Sequence, residues 1–399
     1  MRFPMEQEQL YHSSIRDELS TRINTITPSY RILPIDFVRG VVMVLMALDH
    51  TSLFWNLGHD AGEGLQGYRP IFMDLFQFMT RFVTHYCTPT FIFLAGTGIA
   101  LSEIKQKEKG STQQEITLHF IIRGAILLGL AWTLIVWIFQ ADPFYFGVLA
   151  CIGVGFLIFA FGRKIPVKTI LVLSTGFILL SPIIWLPISG YLNILFQSPE
   201  WPYGMYPLKP WLGVMGLGYV FGHYLQGQNN SDSKNRIATQ LTLLGGGLII
   251  FFFTLRWFSF LKVTLIPNAE AGWPANYLPP ESSALEHFFL LSKYPPSIVF
   301  LLWTIGGMFI VLGLAFYLQS HQWFKKWTKP LVIFGTTPLY FYCAHLYLYG
   351  TIPRLLGQAL FPLPIPLFVW AVGLVTLFPS CLLFREIKNN HPNSWVKYF

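Results

Sequence analysis

Apolar residues along this chain do not alternate with polar ones; they gather in long runs separated by short polar segments. A helix that crosses a bilayer needs about 20 mostly apolar residues. Ten runs answer to that pattern: 36–57, 76–102, 117–139, 144–162, 167–187, 210–226, 237–261, 295–319, 330–350 and 365–386. Only helices suit them, because open sheet edges find no partners in lipid and the runs lack the period-two alternation of barrel strands. The expected fold is an all-α integral membrane protein, a bundle of about ten transmembrane helices. A polar tail over 1–30 precedes a membrane domain over 31–388, and a short tail follows over 389–399. The sixth run is short, and Gly213, Gly216, Gly218 and Gly222 within it point to close helix packing. They do not form a phosphate loop, since no strand precedes them. The longest loop, 263–294, is rich in Pro, Gly and acidic residues.

Composition agrees with this picture. Only 12% of the 399 residues are charged, about half the share usual in soluble domains, and the mean hydropathy is +0.49. The 13 Trp, 18 Tyr and 37 Phe supply the aromatic anchors that membrane interfaces favour. A net charge of +8 would suit nucleic acid only if it were concentrated, and here the basic residues are scattered among short loops. Their scatter is informative in another way. With Arg123, Lys168, Arg256 and Arg385 assigned to the nearer end of their runs, the N-terminal tail, every second loop and the C-terminus hold 19 of the 27 Lys and Arg; the other loops hold 6, and Arg39 and Arg81, also inside runs, are counted to neither side. The positive-inside rule then places both termini in the cytoplasm, which an even number of spans requires. Cys87, Cys151, Cys343 and Cys381 all fall in apolar runs and read as packing residues, without disulfide or zinc spacing. The first 30 residues lack an apolar core, so they read as a cytoplasmic tail rather than a cleaved signal. The expected location is the cell (inner) membrane, with lipid as a partner and nucleic acid excluded; a homodimer is left open.

Ionisable side chains at membrane depth are costly and mark function by default. The first run, IDFVRGVVMVLMALDHTSLFW, carries four. Asp36, Arg39, Met43, Met46 and His50 follow steps of three and four and share a face. Asp36 and Arg39 are spaced to pair. His50 lies about 21 Å beyond Asp36, with Asp49 next to it in sequence and about 100° around the helix. In the second run Arg81, His85 and Thr88 form another polar stripe, and Pro89 removes the bond that the His85 carbonyl would accept, favouring a kink there. His85 falls about 25 Å from the inner end of its run, and His345 about 22 Å from the start of the ninth, where Tyr342 and Tyr349 share its face. Helical rise thus brings three histidines to a similar depth without showing that they meet. Arg123 either snorkels to the cytoplasmic surface or faces inward toward an anionic ligand. His59, His119, His223, His287 and His391 read as loop or span-end residues. No HxxxH or HExxH spacing supports a metal site.

Five stretches carry a resemblance: IDFVRGVVMVLMALDH at 35–50, FVTHYCTPTFIFLAG at 82–96, YPLKPWLGVMGLGYVFG at 206–222, KYPPSIVFLLWTIG at 293–306 and FGTTPLYFYCAHLYL at 334–348. In this order they resemble the bacterial relatives of heparan-α-glucosaminide N-acetyltransferase, within the wider class of transmembrane acyltransferases, over nearly the whole membrane domain. The resemblance implies a multi-pass enzyme that takes an acetyl group from cytoplasmic acetyl-CoA and passes it to a sugar amine or hydroxyl across the membrane. His50 is the implied general base, with Asp49 orienting it. His85 and His345 would bind the acceptor or stabilise the oxyanion, with Tyr342, Lys293 and Tyr294 completing the acceptor site. Asp36, Arg39 and Arg123 would serve the CoA end. The match departs in the segment TSLFWNLGHDAGEGLQGYRPIFMDLF, where the lysosomal enzyme has its essential histidine and His59 does not align with it. Two rivals remain at this point: a transporter using the histidines as a proton relay, and a structural subunit.

Overall fold

The computed structural model describes residues 31–63, 70–141, 143–180, 205–228, 230–265, 284–355, 360–391 and 394–398. The N-terminal tail, the end of the fifth expected span and most of the loop over 263–294 lie outside the described residues.

The described regular structure is helical: α1 Leu33–Trp55, α2 Leu75–Thr84, α3 Cys87–Glu108, α4 Gln113–Leu130, α5 Val136–Phe139, α6 Val148–Gly162, α7 Val167–Leu179, α8 Leu208–Tyr224, α9 Ser231–Leu265, α10 Ala284–Phe289, α11 Ile298–Leu318, α12 Gln322–Trp327, α13 Lys329–Thr336, α14 Pro338–Leu355 and α15 Pro364–Asn390. Each expected run overlaps one of these helices or a broken pair, the fifth only as far as it is described. Six helical stretches among the described residues are long and apolar enough to cross a membrane, seven if α13 and α14 count as one; α6 and α7 are shorter apolar helices.

The breaks have local causes. α2 stops at Thr84 and α3 starts at Cys87, two residues before Pro89, whose missing N–H leaves the His85 carbonyl without its helical partner. α4 passes through a π-helical turn, Ala131–Ile135, into α5. The ninth expected span is not straight: α13 and α14 meet at 95°. Thr337 sits between them at φ −126° and ψ 48°, because the residue before a proline is steered out of the helical region. The depth inferred for His345 from an unbroken rise is therefore corrected; its position is set by α14 alone.

Two close helix pairs fix the frame. A Cβ at Gly335 would fall onto the Asp36 carbonyl, and one at Gly40 onto the Leu331 carbonyl, so α1 and α13 touch backbone to backbone. Gly96 against Met215 and Gly218 against Phe93 do the same for α3 and α8, as small residues allow in lipid. The apolar core runs between α1, α3, α6, α8, α11 and α14. Away from the site, Glu103 of α3 is 1% exposed and accepts from Arg163 (3.2 Å) and Tyr219 (2.6 Å). Arg163 also donates to Gln113 and Thr117 of α4, so one buried network joins the ends of α3, α4, α6 and α8.

Candidate active site

The segment after α1 folds back over the end of its own helix. Asn56 donates to Ser52 Oγ (2.9 Å) and Gln77 Oε1 (2.8 Å) and accepts from the Gln77 amide (3.2 Å). That clasp between α1 and α2 carries His59 and Glu63 inward. His59 Nδ1 lies 2.9 Å from Ser52 Oγ, and the Glu63 carbonyl accepts from the backbone N–H of Lys293 (3.1 Å) and Tyr294 (2.9 Å). The loop, the segment leading into α11 and the ends of α1 and α2 are thereby tied into one wall.

Arg81 is the electrostatic centre of that wall. Its Nε and Nη2 donate to Glu63 (2.5 and 2.8 Å), and its Nη1 donates to Asp49 Oδ1 (2.5 Å), which also accepts from Thr84 Oγ1 (2.9 Å). Glu63, in the loop, is fully buried. Burial raises its carboxyl, but Arg81 and His85 outweigh burial and hold it well below the ordinary value of 4.5. His85 Nε2 sits 3.1 Å from Glu63. Asp49 is thus engaged by Arg81 and Thr84, and the hydrogen bond of His50 goes elsewhere.

His50 Nδ1 lies 2.8 Å from His345 Nε2, and His345 Nδ1 lies 2.7 Å from the Phe341 carbonyl. His345 has no exposed surface. Trp55 Nε1 donates to the Tyr349 carbonyl (2.8 Å), Tyr349 Oη to the Trp370 carbonyl (2.8 Å) and Trp370 Nε1 to the Val44 carbonyl (3.1 Å). These bonds lash α1, α14 and α15 together around the two imidazoles.

A cavity of about 240 Å³ opens here, lined by His50, Asp49, His59, Arg81, Lys293 and Tyr294 among others. Tyr342 also lines it, whereas His85 and His345 stand behind the lining residues. Tyr206 Oη and Tyr294 Oη are 3.3 Å apart, and burial pushes both phenols upward, leaving them neutral hydrogen-bond donors. The Lys293 Nζ is 5.1 Å from the Tyr294 ring centroid; the residue is 3% exposed.

A second cavity, also about 240 Å³, is lined by Arg39, Arg123, Lys388 and Tyr398. Arg39 pairs with Asp36 (3.0 Å) and reaches the Gly335 carbonyl (3.2 Å); Asp36 is buried and off the cavity wall. Arg123 lies 5.2 Å over the Phe156 ring. Phe91, Leu149 and Tyr342 line both cavities. Along α1, Arg39 in one and His50 in the other are about 17 Å apart at 1.5 Å per residue.

The structure therefore brings together His50, Asp49, Tyr342, Lys293 and Tyr294 around one cavity and Arg39 and Arg123 around another, with His345 and His85 one layer back. It adds His59, Glu63, Lys388 and Tyr398, which sequence reasoning left among loops and termini. The order Asp-His followed nine residues later by a second histidine was the one visible hint of His59. Among the described residues, no group of three His, Cys, Asp or Glu is arranged to hold a metal ion.

Comparison with known proteins gives one family. The family model described as heparan-alpha-glucosaminide N-acetyltransferase, catalytic, matches residues 31–255, a segment from α1 into α9 that supplies most of both cavities. No curated protein gives a match.

Proposed function

This chain belongs to the heparan-alpha-glucosaminide N-acetyltransferase catalytic family, and from that premise we propose that it moves an acetyl group from cytoplasmic acetyl-CoA to a sugar amine or hydroxyl on the far side of the membrane. The observation that carries the reading is the pair of cavities that share Phe91, Leu149 and Tyr342 in their walls, one basic and one built around imidazoles. In this reading ten segments span the bilayer, counting α6, α7 and α8, and both termini lie in the cytoplasm of a cell that carries the protein in its inner membrane. The basic cavity then faces the nucleotide and the imidazole cavity faces the acceptor.

Arg39 and Arg123 bring two guanidinium groups to the inner cavity, a match for the phosphates of CoA. Lys388 beside them, its pKa lowered to about 7 by burial and the neighbouring arginines, gains its charge as an anion enters. The pantetheine arm is long enough to span the stretch of α1 between Arg39 and His50. At the outer cavity the acceptor nitrogen or oxygen attacks the thioester carbonyl. Its proton passes to His50 Nε2, a role in which positioned bases contribute about 10²–10⁴-fold. A C–N or C–O bond forms, and the carbonyl oxygen carries negative charge in the tetrahedral intermediate. Lys293 and the Tyr294 phenol stand at the cavity to oppose that charge. The C–S bond then breaks, CoA leaves as the thiolate and takes up the proton, and the acetylated acceptor departs. His59 shares the cavity and is a second base within reach of an acceptor.

Purified protein in proteoliposomes, supplied with acetyl-CoA and a panel of glucosamine-terminated acceptors, tests the reading. Release of CoA thiol coupled to acetylated acceptor is the expected result. Acceptor flux with no acetyl-CoA consumed would replace it with transport.

A further inference from the structure

We infer that His345 is a positioning residue that fixes which nitrogen of His50 carries the proton. This rests on the acetyl-transfer reading for its function, but not for its chemistry. A backbone carbonyl only accepts, so at 2.7 Å from the Phe341 oxygen, His345 Nδ1 must be the nitrogen that bears hydrogen. A neutral imidazole has one N–H, so His345 Nε2 is a bare acceptor. It faces His50 Nδ1 at 2.8 Å, and that nitrogen must therefore donate. The proton of neutral His50 is thereby held on Nδ1, and its lone pair is left on Nε2. His50 lines the cavity and His345 does not.

The arrangement has the logic of a hydrogen-bonded base oriented by a third group: the partner sets tautomer and ring orientation, and the base keeps its free lone pair for the substrate. Here the partner is a second imidazole anchored on a main-chain oxygen rather than a carboxylate. The adjacent carboxylate, Asp49, is engaged by Arg81 and Thr84. When His50 takes the acceptor proton it becomes imidazolium, and its Nδ1–H bond to neutral His345 becomes charge-assisted. The two imidazoles are nearly parallel, their centroids 5.0 Å apart with an interplanar angle of 18°, and the Phe341 ring packs on His345 with its centroid at 5.2 Å. A side chain placed to contact the acceptor would instead need a surface on the cavity.

The test compares wild type, His345→Gln, His345→Asn and His345→Phe in the full-length purified protein, with acetyl-CoA saturating and acceptor varied. The Gln amide oxygen reaches the place of the imidazole Nε2 and keeps an acceptor opposite His50; the shorter Asn and the apolar Phe do not. We expect Phe and Asn to lower kcat by about 10²–10⁴-fold with acceptor KM within about twofold, and Gln to recover at least about tenfold of the loss. A raised KM at unchanged kcat, or a Gln variant as slow as Phe, would overturn the assignment. Nitrogen NMR of histidine-labelled protein reads the tautomer without any turnover, the His50 signals being assigned by their loss in His50→Gln. Wild type should show Nδ1 protonated and Nε2 bare, and His345→Gln should keep that pattern. The opposite tautomer in wild type would sink the inference. Wild type with the expected tautomer and no acetyl-CoA consumption would instead sink the proposed function alone.

Discussion

Arg81 holds two carboxylates, Asp49 and Glu63, with side chains 4%, 18% and 1% exposed respectively. Replacing it by Met strands both, a change that costs about 3–5 kcal/mol when a buried pair loses one partner, and thermal melting in detergent should show it. The same contact gives a pH signature. An unfolded Glu takes up its proton near 4.5, while folded Glu63 stays ionised well below that value. Its contribution is therefore complete above that pH and is lost as pH falls toward the lower folded value. Melting temperature should decline as pH drops through roughly 4.5, and the Glu63→Gln variant should show a shallower decline over the same range. On the other cavity, Arg123→Ala and Lys388→Ala should each raise the acetyl-CoA KM by about tenfold with kcat little changed, the loss of about one charge-assisted bond. At this scale the α1 residues were legible because helical spacing alone put Asp36, Arg39 and His50 on one face. His59 and Glu63 were not, since their inward placement depends on the Asn56–Gln77 clasp between two helices, which no periodicity reveals.

Helix breaks position the site as much as helices do. The stop at His85 follows from Pro89 and was readable in advance, because a missing donor acts locally. The 95° bend at Thr337 obeys an equally local rule, the restriction on a residue before proline, yet an apolar run that continues through Thr-Thr-Pro looks like one span. The bend leaves His345 on a helix of its own, eight residues past the break, facing His50. The network around Glu103 is the corresponding anchor at the far ends of α3, α4, α6 and α8. Glu103→Ala would leave buried Arg163 without its carboxylate, and a loss of about 3–5 kcal/mol is expected from such a break. Because Glu103 is remote from His50, the folded fraction of that variant should retain wild-type kcat, which activity per folded molecule will measure.

Across the whole molecule, the proposed function has the acetyl group pass from the cavity lined by Arg39, Arg123 and Lys388 to the one lined by His50 and His59. Phe91 and Tyr342, whose ring centroids are 6.5 Å apart, stand in the walls of both cavities. Removing one ring should join the chambers, so Phe91→Ala is expected to raise acetyl-CoA hydrolysis in the absence of acceptor, as water gains the thioester. Hydropathy made the membrane bundle visible, and charge asymmetry supplied an expectation for its orientation. The division into two chambers was hidden, because it depends on which faces of α1, α3, α6 and α14 turn toward one another. In the proposed function the role of His50 is to take the acceptor proton during acetyl transfer. It is tested most directly by a single-turnover measurement on protein preloaded with radiolabelled acetyl-CoA and mixed with acceptor, wild type against His50→Ala. Transfer in the variant should slow by about 10²–10⁴-fold with acetyl-CoA still bound as tightly; transfer at the wild-type rate would contradict the account.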